Sequence, residues 1–138
     1  MAEFVMRDMV ARAGLTEHYV IASAATSDEE EGNPVYPPAR RILAAHGIDS
    51  AGKHARQMTW RDYDEYDLLV GMDRYNLRNM ERIAGGDPHH KIRLLLDFVG
   101  ETRDVADPWY TRDFQTTWDD VTRGCEALLR WVESQRER

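Results

Sequence analysis

Two short apolar runs, Leu68-Leu69-Val70-Gly71-Met72 and Lys91-Ile92-Arg93-Leu94-Leu95-Leu96, stand on either side of a helical stretch. Runs this short and this apolar predict buried strands. Between them Asp73 is placed to cap a helix, Leu77, Met80 and Ile83 recur at helical spacing, and Gly85-Gly86 stops it. Strand, helix, strand in that order is the way parallel neighbours are joined. This unit predicts the α/β class, with a small, mainly parallel sheet flanked by helices.

The rest of the chain fits that frame. Residues 2–13 predict an amphipathic helix ended by Gly14. The β-rich run from His18 to Ala24 predicts a third strand. An acidic loop from Ser27 to Pro34 follows, then a helix from Pro37-Pro38 to His46, stopped by Gly47. Residues 49–58 predict a loop, and Thr59 a cap for a short helix holding Tyr63 and Tyr66. A loop over 97–113 leads to a last helix, about 114–133, with Trp118, Val121, Cys125, Leu128, Leu129 and Val132 on one face. The chain opens inside a helix, where this architecture normally has a strand first.

Apolar residues make up 42% and charged residues 31%, enough for one core. A net charge of −7 argues against a nucleic-acid binder. No apolar run is long enough to span a membrane, and no leader pattern opens the chain. The one cysteine, Cys125, cannot close an internal disulfide, so a cytoplasmic setting is expected. Cys125 lies on the apolar helix face and reads as a buried structural thiol. His89-His90 reads as a solvated loop, and no metal or cofactor is expected.

Several segments, taken in order, resemble the low-molecular-weight protein tyrosine phosphatases: Met1-Ala2-Glu3, Ser23-Ala24-Ala25-Thr26-Ser27, Ala55-Arg56-Gln57, Met72-Asp73-Arg74-Tyr75-Asn76-Leu77 and Asp107-Pro108-Trp109-Tyr110. Members of that family begin with a strand and a C-x5-R-S/T-P loop that runs directly into Met-Ala-Glu. The resemblance therefore implies one phosphatase-like domain over residues 1–138, shortened at its N-terminus, with the leading strand, nucleophilic cysteine and phosphate-binding arginine not among these residues. A C-x5-R loop built on Cys125 would need arginine at position 131, where Trp131 stands. His54 lies one residue out of register with a supporting histidine found in some members.

The resemblance also implies a chemistry. A cysteine thiolate attacks an aryl phosphate, main-chain N–H groups and an arginine hold the phosphoryl oxygens, and a carboxylic acid protonates the departing phenolate. By resemblance Asp107 is that acid. Trp109 and Tyr110 are the aromatic pair flanking the substrate ring, Glu29 stands on the opposite wall where many members carry an aromatic residue, and Ser23 braces the phosphate loop. Asp73 and Asn76 read as helix caps. The implied substrate is a phosphotyrosine protein or small aryl phosphate, with neither nucleic acid nor membrane as partner. The shortened chain alone is expected to be inactive, and either to close its 18–24 strand up against the neighbouring strand or, the favoured outcome, to associate with further copies of itself. The competing reading is a pseudophosphatase that binds partners without hydrolysis. Arsenate reduction needs a relay of cysteines and does not fit a lone Cys125.

Overall fold

The strand–helix–strand unit forms as expected. In the computed structural model, which describes residues 1–26, 37–50, 52, 56–106 and 113–136, β1 (Leu69–Gly71) pairs in parallel with β2 (Ile92–Leu94). The register places Leu69 opposite Ile92 and Gly71 opposite Leu94. α4 (Arg74–Ala84) makes the crossover. Its four leading N–H groups have no partner inside the helix, and Asp73 takes one of them, accepting from Asn76 N at 2.7 Å. Asn76 Oδ1 in turn accepts from Met72 N at 3.1 Å, joining strand end to helix start. Gly85 ends α4 in the left-handed region, at φ 79°.

Among the described residues three α-helices precede this unit and one follows it. α1 (Ala2–Arg12) turns Val5, Met6 and Val10 inward. α2 (Pro37–Ala45) contributes Leu43, and α3 (Trp60–Glu65) contributes Tyr63. Asp62 holds the start of α3 by accepting from Thr59 N at 2.9 Å. α5 (Phe114–Arg136) lays Trp118, Val121, Cys125 and Leu128 into the main core against α1, Leu43, Leu95 and Leu96. Each fully buried side chain of this kind contributes about 1.5–3 kcal/mol. Met58, Tyr63, Leu69, Met80 and Ile92 form a second cluster. No helix among the described residues is long and apolar enough to cross a membrane.

Two expected strands are corrected. The run at 91–96 is extended only over Ile92–Leu94, and Leu95–Val99 is a 3₁₀ turn ending at Gly100, φ 88°. Asp97 accepts from Leu94 N at 3.3 Å, which curls the chain there. Leu95 and Leu96 are still buried, so their apolar character reports the core and not a strand. The run at 18–24 forms no ladder: His18 closes a 3₁₀ turn, Thr16–His18, and the chain then runs on to one isolated parallel bridge, Ala25 with Gln57. Its anchors are side chains. Arg7 donates to Ile21 O at 2.6 Å, Ser23 donates to Glu3, and Tyr19 donates to Glu133. Among the described residues the sheet therefore has two strands, where the sequence predicts three.

Candidate active site

Open α/β sheets bind ligands beyond the carboxyl ends of their strands. At that end of β1, Met72 O accepts from Val105 N at 2.9 Å. Two residues on, Arg74 N donates to Asp104 Oδ1 and Arg74 Nη2 donates to Thr102 O, both at 3.1 Å. Residues 102–106 are thus strapped across the junction of β1 and α4. They lead directly to Asp107 in the sequence.

The same segment is held from the other side by α5. Asp120, 3% exposed, accepts from Ala106 N at 3.0 Å. Its two oxygens also receive the Arg103 guanidinium fork, at 2.8 and 2.7 Å. Bidentate charge-assisted pairing of this kind favours the ionised carboxylate. It holds Asp120 down at about 2, against the opposing effect of burial. Thr117, also buried, donates from Oγ1 to Ala106 O at 2.7 Å. Arg123 joins Glu101 to this group, at 3.0 Å.

Of the residues singled out in the sequence, Ser23 is described. Its hydroxyl donates to Glu3 Oε1 at 2.6 Å, while Arg7 pairs with Glu3 Oε2 at 2.8 Å. Glu3 is buried at the start of α1, so Ser23 ties the 19–24 segment to that helix. Asp107, Trp109, Tyr110 and Glu29 lie outside the described residues, as does His54. Asp73 and Asn76 act as caps.

Cys125 is 1% exposed and packed within α5. Its Sγ faces Ala2 O at 3.8 Å, and burial pushes its thiol up to about 12. A thiol in that state is protonated at neutral pH and has no open path to a phosphate.

The polar grip formed by Asp120, Thr117 and Arg103 was not read from the sequence. A signal existed: Asp120 sits two residues after Trp118 and one before Val121, within the buried stripe of α5. A carboxylate in such a register needs a charged or N–H partner.

These features define an α/β domain whose candidate site gathers at the carboxyl end of a parallel strand. Residues 1–138 match the family model described as low molecular weight phosphotyrosine protein phosphatase. The low molecular weight protein-tyrosine-phosphatase YfkJ of Bacillus subtilis is 33% identical over 139 residues, covering 99% of this chain and 89% of that protein. The human low molecular weight phosphotyrosine protein phosphatase is 33% identical, covering 94% and 84%. The crystal structure of YfkJ superposes with a TM-score of 0.92 over 97% of this chain and 86% of its own. The corresponding phosphatase from Streptococcus pyogenes, 35% identical, gives 0.83 over 95% and 82%. The chain belongs to the low molecular weight phosphotyrosine protein phosphatase family.

Proposed function

We propose that this chain carries the acid, the pocket walls and the scaffold of a phosphotyrosine phosphatase, and that its 138 residues alone do not turn over aryl phosphates. Asp107 is the general acid that protonates the leaving phenolate. Trp109 and Tyr110 flank the substrate ring, Glu29 forms the opposite wall, and Ser23 steadies the phosphate-binding loop. Hydrolysis runs through a cysteinyl phosphate in a form of the protein that bears a C-x5-R loop. The setting is a reducing cytoplasm. A second copy of the chain is the proposed partner for the backbone of residues 19–24.

The observation that carries inactivity is the state of Cys125, the sequence's one cysteine. Its thiol is sealed in α5 and pushed up to about 12. Without a thiolate the acid has no covalent step to assist. The family match over residues 1–138 supports the substrate class. The test is p-nitrophenyl phosphate turnover by the purified chain, with none expected. Turnover at roughly 1 s⁻¹ or more that is lost on Asp107→Asn would overturn the proposal.

A further inference from the structure

We propose that Asp120 and Thr117 are positioning residues for Asp107, because together they hold both main-chain polar groups of the residue that precedes it. Ala106 N donates to Asp120 Oδ2 at 3.0 Å, and Ala106 O accepts from Thr117 Oγ1 at 2.7 Å. Both side chains come from one stretch of α5 and are buried. Arg103 fixes the Asp120 carboxylate with two bonds, so the acceptor cannot rotate away from Ala106. The residue before, Val105, is tied to Met72 O at the end of β1. Two successive peptide units ahead of Asp107 are thus set by two separate elements.

The chemistry of the side chains supports this role over simple packing. An inward face of α5 that served packing alone would be filled more cheaply by apolar residues, since a buried carboxylate costs several kcal/mol to desolvate unless it is paired. Valine would match the shape of Thr117 without its hydroxyl. What the polar pair adds is a fixed main-chain position at Ala106. A general acid must lie about 2.6–3.2 Å from the oxygen it protonates. An aspartate side chain is short, so an error in its backbone passes almost undiminished to its carboxyl. Misplacement by about 1 Å can cost about 100-fold in rate.

The inference rests on reading Asp107 as the acid, and the experiment has an arm for each. In the 138-residue chain, amide hydrogen exchange is measured residue by residue for the original sequence, Asp120→Asn, Thr117→Val and Thr117→Ser. Exchange at Ala106 is expected to quicken by about fivefold or more in the Asn and Val variants, the loss of one net hydrogen bond. Leu128 in α5 keeps its protection, and Thr117→Ser behaves as the original. Unchanged exchange at Ala106, or an equal loss at Ala106 and Leu128, overturns the inference.

In the second arm the chain is extended at its N-terminus with a family-type C-x5-R loop. Thr117→Val and Asp120→Asn are expected to lower kcat/KM on phenyl phosphate by about 10–100-fold. The loss should shrink on p-nitrophenyl phosphate, whose leaving group needs less protonation, vanish in an Asp107→Asn background, and be absent in Thr117→Ser. A purely structural role would lower both substrates alike. If Asp107→Asn has no effect, or the extended chain has no turnover, the acid reading falls and this inference with it, while the exchange result stands. If Asp107→Asn is damaging and Thr117→Val is silent, the positioning role alone is overturned.

Discussion

Cys125 illustrates how one residue's surroundings decide its chemistry. Its thiol ionises ordinarily at 9.0 and is pushed up to about 12, chiefly by burial. The unfolded chain therefore releases a proton between these values while the folded chain keeps it. This contribution to stability is complete below the ordinary value and is lost as pH rises through the window, by up to about 1.4 kcal/mol per pH unit. Tyr19, raised from 10.0 to about 12, acts in the same sense. Urea midpoints measured from pH 8 to pH 11 should fall steadily, and Cys125→Ala should flatten part of the slope. At pH 8 a thiol reagent should label Cys125 no faster than the chain unfolds; rapid labelling of the native protein would contradict the burial described. This thiol was legible in the sequence because it repeats at helical spacing with Trp118, Val121 and Leu128. The partner of Asp120 was not legible: Arg103 lies 17 positions away in a loop, where no periodicity announces a contact.

Among the elements, α5 and the turn at Leu95–Val99 pack tightly at Gly124. A Cβ added at Gly124 would stand 2.4 Å from Leu95 Cγ. Alanine would improve the helix itself by about 0.8–1 kcal/mol, while overpacking costs about 1–3 kcal/mol. The second effect should win, because the atom struck is the branch point of a side chain 1% exposed. Gly124→Ala should therefore lower the melting temperature, and adding Leu95→Ala should recover part of the loss at that contact, a coupling that a double-mutant cycle measures. A rise in melting temperature on Gly124→Ala would refute the tight approach. The sequence marked α1, α4, α5 and the parallel β1–β2 unit through their periods and caps. It overstated the strand at 91–96 because apolar residues signal burial as strongly as they signal a ladder, and the strand at 18–24 because its β-rich residues find no neighbouring strand there, leaving Val20 exposed. Whether such a run pairs depends on what lies beside it, and that is a property of the tertiary fold.

At the scale of the whole molecule, the backbone of residues 19–24 is held to the domain by side chains, and Val20 is 83% exposed. A segment that runs outside any ladder is a template for pairing. Sedimentation at micromolar concentration should show association, and Val20→Lys should weaken it; a monomer across that range would exclude the second copy as partner. The ends of the chain are also joined, since Cys125 on α5 faces Ala2 at the start of α1 across 123 positions. The consequence falls on biosynthesis. At a translation rate of about 5–20 residues per second, α1 waits roughly 6–25 s for the helix that covers it. During that time Val5, Met6 and Val10 are available to chaperones and to neighbouring nascent chains. Emergence of α5 from the ribosome, more than any local folding step, is then the event that closes this domain.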